Sequence, residues 1–552
     1  MGEVSFEKFW SDMPVPVRRR LLQGSVGARH LFDTGAEALE SNPQLAVELL
    51  LAAYTANPFD GNMAGQLANV EGLLPLFPEP VTTCLEGVLK NWHRPDNLSY
   101  FLRITSKRNN DKIRSYILSC LEKEPENLFW IQQGLIHAGA CSDYIFALEL
   151  LDREFTAEVF SAVNSAKAFF HYMSGDAAGA FKSLVTASEV LGIANMAHLA
   201  ASIALALDDR KTALDVLSGT VEGQAWRVSE ALRLYDLKRG LDEKYEAFPG
   251  TLAILLYSFN KAEELDATLA SLHRSELCGA RIFVLDNGSG DGSADVISRW
   301  HNEFDEQMVR IDLPVNVGAA AARNWLMNMP EVMECEFSLY LDDDVEVEPD
   351  WLSRLGAAVS RYPDAGVWGC KVVDHVSPAV MQSVDLHIIQ PAGEEGDGPE
   401  IDLTKIAPNP FRVSNIHNQL LDAGYFDFMR PCASVTGCCH LFRTAKLLDN
   451  GGFSLFLSPS QYDDMEHDLR SCLKGDFAVY QGHLRVLHRK NTGAASRVSV
   501  VQEGNALGNK YKMQAMHPRS EILQIMADEE RLLQSDLKKK IQYLRENGVL
   551  GS

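Results

Sequence analysis

Basic charge is what this chain of 552 residues is short of: 51 Lys and Arg stand against 75 Asp and Glu, a formal net charge of -24. A surface this acidic repels phosphate backbones and anionic lipid, so nucleic-acid binding and generic membrane adsorption are disfavoured. Long apolar runs are missing too. The most apolar stretch, His198 to Leu207, falls far short of the roughly 20 residues that span a bilayer. The opening MGEVSFEKFW lacks a basic region followed by an apolar run, so no secretory leader is expected. The expected location is cytoplasmic, with the inner face of the membrane as a peripheral variant. Ten cysteines contain no C-x-x-C pair, and Cys438-Cys439 lacks disulfide and metal-site spacing. They read as small buried hydrophobes in a reducing compartment. Hydrophobic residues at 46% and charged residues at 23% are ordinary globular values, which excludes disordered and fibrous classes. The length suggests about two to four domains.

Up to about Glu246 the pattern is helical, rich in Ala and Leu. Ala46, Leu50, Ala53, Tyr54 and Pro58 share a frame with Ile113, Ile117, Cys120, Leu121 and Pro125. Ala180, Leu184 and Ala187 fit its first three positions. The lead positions 46, 113 and 180 are 67 residues apart each time, two periods of about 34. Ala147 with Leu151 and Ala213 with Leu217 fall near intermediate positions. Small residues let antiparallel helices approach closely, and Pro ends the second helix. The period and offsets resemble the tetratricopeptide (TPR) repeat, without most of its aromatic and Gly signature. The resemblance implies a solenoid whose concave face takes a peptide, a protein partner or a second copy; an irregular helical bundle is the alternative.

Near Phe248-Pro249-Gly250 the pattern changes. Short apolar runs, Leu252–Tyr257, Ile282–Leu285, Val309–Leu313, Phe337–Leu341 and Val367–Val373, alternate with helical stretches. This predicts a mostly parallel sheet covered on both faces, with ligands outside the carboxyl ends of the strands. Those ends carry Tyr257-Ser258-Phe259-Asn260-Lys261, then Asp286-Asn287-Gly288-Ser289, then Asn316-Val317-Gly318 leading to Arg323 and Asn324, then Asp342-Asp343-Asp344. Each could be an ordinary turn. Three packed carboxylates repel unless a cation sits among them, and hard ions such as Mg2+ and Mn2+ take oxygen ligands and bridge to phosphate.

In order and spacing these blocks, with V-T-G-C-C-H-L-F-R, G-G-F, Y-D-D-M-E-H-D-L-R and V-L-H, resemble a GT-A fold glycosyltransferase of family 2, the large inverting class, over about Thr251 to Arg489. The resemblance implies an α/β GT-A domain with a Rossmann-like mixed sheet beside the all-α TPR-like solenoid. It implies that Ser258, Phe259 and Asn260 meet the nucleotide, that Asp286 contacts base or ribose, and that Arg323 and Asn324 lie beside the nucleotide. Asp342 and Asp344 match the ends of the D-x-D motif, with Asp344 the better metal ligand and Asp342 the better ribose or indirect contact. Asp343 fills the middle. His488 matches a late metal-binding His, although a lone His is commonly structural. The cofactor implied is Mn2+ or Mg2+.

Inverting transfer needs a carboxylate to take the acceptor proton. The family uses the second acid of E-D-x-D-L-x-x-R. Here Arg470 fixes the register and makes Asp464 the base, with Asp463 its rival. Asp463, Glu466 and His467 depart from the pattern, and an acidic first helical turn is favoured by the macrodipole in any case. The stretch from Asp374 to Cys432, with Gly393–Gly398 and Tyr425 to Phe428, is expected to form a mobile lid or acceptor loop. Pro518 to Leu544 reads as one or two amphipathic helices, carrying the small basic cluster Lys538-Lys539-Lys540.

The expected division is a helical domain over 1–246, a catalytic domain over 247–515 and a tail over 516–552. The expected activity is inverting hexosyl transfer from a nucleotide-diphosphate sugar, UDP first, to a hydroxyl. The acceptor is a protein, as in bacterial surface or flagellar glycosylation, or a glycan in polysaccharide or lipopolysaccharide synthesis. A scaffold with a nucleotide-sugar-binding module is the non-enzymatic alternative. A nucleotidyltransferase would need a Gly-rich, basic phosphate loop after the first strand, which is absent.

Overall fold

The computed structural model describes residues 6–71, 76–389, 411–418, 420–489 and 500–551. The chain divides into two compact units. One comprises Met1–Lys238, Ile416–Tyr425 and Lys540–Ser552; the other comprises Arg239–Asn415 and Phe426–Lys539.

The first unit is helical, and helices adjacent in sequence pack on one another. Ala46, Ala53, Ala147, Ala180, Ala187 and Ala213 are all fully buried. The small residues of the sequence frame are therefore the points of close helix approach. The second helix of successive pairs starts in the same way. Asn42, Asn109, Asp143, Asp176 and Asp209 each accept a hydrogen bond from the backbone N–H three residues on. These caps open the helices Pro43–Ala56, Asn110–Lys123, Tyr144–Leu151, Ala177–Leu191 and Arg210–Gly223. Their side chains satisfy donors that the helix leaves unpaired. The cap positions recur at intervals of 67, 34, 33 and 33, a second trace of the period.

Ile416–Tyr425 comes from the stretch expected to be an acceptor lid. Its described residues instead complete the helical core. Ala423 packs with Ala168, Ala180, Leu184 and Ile203, and Ser202 Oγ donates to its carbonyl at 2.7 Å.

The described residues of the second unit form twelve strands: β1 Leu252–Ser258, β2 Arg281–Asp286, β3 Met308–Asp312, β4 Phe337–Leu341, β5 Val345–Glu346, β6 Val367–Asp374, β7 Met381–Ser383, β8 Ile388–Ile389, β9 Arg412–Val413, β10 Met429–Cys432, β11 Cys439–Arg443 and β12 Ala478–His488. The main sheet runs β10-β12-β6-β11-β4-β1-β2-β3, with β5 on β12 and β7 on β6. β1 is parallel to both β2 and β4, and β11 lies antiparallel between β4 and β6. The sheet is therefore mixed. Burial on both faces explains the continuous apolar runs of β1, β2 and β4. Strand order reverses at β1, which opens a crevice beyond the carboxyl ends of β1 and β4.

Phe426 and Phe428, also assigned from sequence to the lid, are core residues. Asp427 is ion-paired to Lys371. Gly393–Gly398 lies outside the described residues. The tail contains one long helix, Arg519–Glu546. Its Ile522, Ile525 and Met526 share a core with Met465, Leu469 and Cys472 of the helix Asp463–Leu473. Lys540 is buried beneath the Tyr235 ring, so Lys538-Lys539-Lys540 does not present three surface charges. Among the described residues no helix is long and apolar enough to cross a membrane.

Candidate active site

Three strand-end loops are laced together by side chains. Asp286 Oδ1 accepts from Ser289 N at 2.9 Å, and Ser289 Oγ accepts from Asn260 N at 3.0 Å. Asn260, at φ 54°, accepts from Gly290 N at 2.7 Å. Asn287 accepts from Val317 N at 2.9 Å and donates to Asn316 Oδ1 at 3.0 Å. Asp286 and Asn260 thus shape the loops. Phe259 stands 41% exposed at their edge, while Ser258 is buried at the end of β1.

The acidic triplet follows β4 directly. Asp343 Oδ1 and Asp344 Oδ2 both accept from Lys261 Nζ at 2.8 Å. Burial pulls the Lys261 ammonium down, but the two carboxylates outweigh it and push it up. Burial lifts Asp343 to about 6 in spite of Lys261. Burial also acts to raise Asp344, yet His488 and Lys261 hold it well below the usual carboxylate range. Burial, with Asp344 nearby, raises Asp342. His488 Nε2 lies 3.1 Å from Asp344 Oδ1, and its Nδ1 lies 2.6 Å from Gln382 Oε1. In the sequence Lys261 reads only as a turn residue. Its partners stand 82 and 83 residues away, so only the excess of acids over cations at these strand ends hinted at it.

Arg323 joins the triplet to the helix that carries the candidate base. Its Nη1 donates to Asp463 Oδ2 at 3.0 Å, and its Nη2 lies 3.9 Å from Asp342 Oδ1. The guanidinium is buried among the rings of Tyr257, Tyr340 and Phe453. Its carbonyl accepts from the Tyr340 hydroxyl at 2.9 Å. Burial is the main influence raising Asp463, with Arg323 opposing it. Asp464 is half-buried. Its Oδ2 accepts from Gly437 N at 2.8 Å, and its Oδ1 accepts from Met465 N at 2.8 Å. A Cβ on Gly437 would meet Asp464 Oδ2 at 2.6 Å and Arg323 Nη2 at 2.7 Å, so any side chain there would displace one of them.

Asn324 turns away from this group. It donates to Phe453 O at 2.8 Å and accepts from Phe453 N at 2.7 Å. Arg470 pairs with Glu466 one helical turn earlier and donates to Gly452 O at 2.8 Å. The Glu466–Arg470 spacing thereby ties the base helix to the G-G-F turn. Gly451 turns at φ 80°, a region that favours glycine. His467 stacks on Phe453, and burial holds it well below its ordinary value. A neutral ring explains how His replaces an apolar residue there.

The donor set suits a divalent cation. Asp342, Cys438 and His488 each offer one ligand atom within 4.8 Å of the others. Gln382 Nε2 donates to Asp374 at 3.1 Å, so its Oε1 faces His488 and Nδ1 must donate. His488 Nε2 is left facing the Asp344 carboxylate at 3.1 Å, where an ion held by both would take the place of that hydrogen bond.

Residues 253–416 match the family model described as glycosyl transferase family 2; Asp464 and His488 lie beyond the matched residues. The cholesterol galactosyltransferase of Borreliella burgdorferi is 29% identical over 104 residues, 19% of this chain and 28% of that protein. The chain thus matches little more than a quarter of that curated relative. Among solved structures, S. aureus TarS shares 16% identity over 42% of this chain and 35% of its own, with a TM-score of 0.29. Mannosyltransferase PcManGT from Pyrobaculum calidifontis, in complex with GDP-Man and Mn2+, shares 15% identity over 61% of this chain and 88% of its own, with a TM-score of 0.34. The ordered strand-end motifs and the mixed sheet reversing at β1 lie in the same stretch as the match: residues 253–416 are similar to glycosyl transferase family 2.

Proposed function

We propose that the chain transfers a hexose from a nucleotide-diphosphate sugar to an acceptor hydroxyl, with inversion at the anomeric carbon. The observation that carries this is Arg323, which reaches Asp342 on one side and Asp463 on the other. One buried side chain thereby sets the base helix against the acidic strand end. The match to a galactosyltransferase supports hexosyl transfer.

In this reading the exposed Phe259 ring stacks on the nucleotide base. Asp286 and Asn260 keep its loop in place. A divalent cation held by Asp342, Asp344 and His488 would neutralise the departing diphosphate. Lys261, already poised on Asp343 and Asp344, adds positive charge at the same place. Asp464 accepts the proton of the acceptor hydroxyl as it attacks the face opposite the leaving group; the transition state has oxocarbenium character. Asp463 is spent on Arg323. The helical unit recruits the acceptor, a protein, through its repeat surface.

A thermal-shift panel of UDP, GDP, dTDP and CMP with their sugars, each with and without Mn2+, tests the reading. Metal-dependent stabilisation by one of them, followed by release of that nucleoside diphosphate on transfer, is expected. No stabilisation by any of them on folded protein would overturn it.

A further inference from the structure

We propose that Cys438 is a thiolate ligand of the divalent cation, so that the site prefers Mn2+ and softer ions such as Co2+, Zn2+ and Cd2+ over Mg2+. This rests on reading the acidic strand end as a metal site and goes on to name the ion it favours. Cys438 Sγ, an Asp342 carboxylate oxygen and a His488 ring nitrogen lie within 4.8 Å of one another. Bonds of about 2.0–2.3 Å to a tetrahedral ion place ligand atoms roughly 3.3–3.8 Å apart, so the three side chains close the shell by drawing together by on the order of 1 Å.

The placement is not a loop accident. Cys439 pairs with Leu341 across β11 and β4, and Asp342 N donates to Cys438 O at 3.1 Å. Cys438 and Asp342 are thus opposed one step beyond the ladder, held by two central strands. His488 closes β12 and presents Nε2 on the same side. Thr436 Oγ1 donates to Cys438 Sγ at 3.7 Å, and so treats the sulfur as an acceptor. Asp342 remains partly open to solvent, which leaves room for diphosphate oxygens in the shell. On metal binding the thiol gives its proton to solvent and the sulfur gives its electron pair to the ion. Thiolate donors favour soft and borderline ions over Mg2+, whose preferred ligands are oxygens. Neighbouring Cys439 serves as an internal control. Its side chain is hydrogen-bonded to Cys370 of β6 instead.

The test is a Co2+ titration of the full-length protein, with absorption read in the near ultraviolet. A thiolate-to-cobalt charge-transfer band is expected, saturating near one equivalent, absent in Cys438→Ala and unchanged in Cys439→Ala. Cys438→Ala should weaken Co2+ and Cd2+ binding about tenfold or more, at least the cost of losing an outer partner, and Mg2+ binding by less than about threefold. Bound Co2+ without a band, a band that survives Cys438→Ala, or no Co2+ binding overturns the proposal. A nucleotide shift with Mn2+ on the same samples separates the two readings. A shift without a band leaves the transferase standing and removes the thiolate. A band without any nucleotide shift leaves the metal site standing and removes the nucleotide-sugar reading.

Discussion

The two acids that open the helix Asp463–Leu473 differ in what holds them. Asp463 is buried and ion-paired to Arg323; Asp464 is half-buried and accepts from two backbone N–H groups. A general base must be reachable by the acceptor, and Asp464 is the reachable one. Asp464→Asn is therefore expected to slow transfer roughly a hundred- to ten-thousand-fold with the donor Kd unchanged in calorimetry. Asp463→Asn leaves a buried guanidinium without its partner, so it should cost roughly 3–5 kcal/mol in stability. A stable but inactive Asp463→Asn beside an active Asp464→Asn would reverse the assignment. Asn324 offers a second contrast. Its amide is used twice on the Phe453 backbone, at about 0.5–1.5 kcal/mol for each bond. Asn324→Ala should lower Tm and leave donor binding intact; lost binding at an unchanged Tm would restore the nucleotide contact read from sequence.

Between elements, the second unit is tied by buried charges that lie far apart in the chain. Asp385 and His387 meet Arg430 of β10 and Glu529 of the long helix, all buried. Burial works against the Asp385 carboxylate, yet Arg430 and His387 outweigh it and hold it at about 2. A depressed carboxylate contributes stability above its ordinary value and loses it as pH falls toward the folded one. That share is about 2 kcal/mol and is lost between about pH 4 and pH 2. Burial and Arg430 lower His387, but Glu529 and Asp385 prevail and raise it. Its share therefore runs the other way, present below about pH 6.5 and lost as pH rises through the raised value. In urea unfolding, wild type should exceed Asp385→Asn near neutral pH, and the gap should narrow by about 2 kcal/mol between pH 4 and pH 2. A gap that stays constant with pH would show that the carboxylate's charge is not what matters. The contrast marks what a sequence shows. Helix period, buried alanines and acids at strand ends are local patterns, and they were legible. Lys261 on Asp343, Asp385 on Arg430 and His387 on Glu529 join residues 82, 45 and 142 apart, and no local pattern records such pairs. Cys438 was hidden differently: a cysteine in an apolar run reads as a small hydrophobe until strand pairing sets it beside Asp342.

For the molecule as a whole, the helical unit is not a simple N-terminal half. Ile416–Tyr425 belongs to it although the surrounding chain builds the mixed sheet of the other unit. Ala423 is fully buried there, and Arg233 and Ser202 both face its neighbourhood: Ser202 Oγ bonds its carbonyl, and a Cβ on Gly424 would meet the Arg233 guanidinium at 2.5 Å. At about 25 cal/mol for each square ångström of apolar surface, stripping the partners from this segment removes stabilisation with no compensating contact. Deleting residues 1–238 should therefore leave a catalytic fragment with an exposed apolar strap. It should bind a hydrophobic dye, melt lower than the full chain and aggregate. Replacing 416–425 in that fragment with a Gly-Ser linker of equal length, and ending it at Lys539, should remove the dye binding and restore solubility, because 416–425 and 540–552 both belong to the helical unit. A fragment that is soluble and dye-silent without the linker would show instead that the strap finds partners elsewhere.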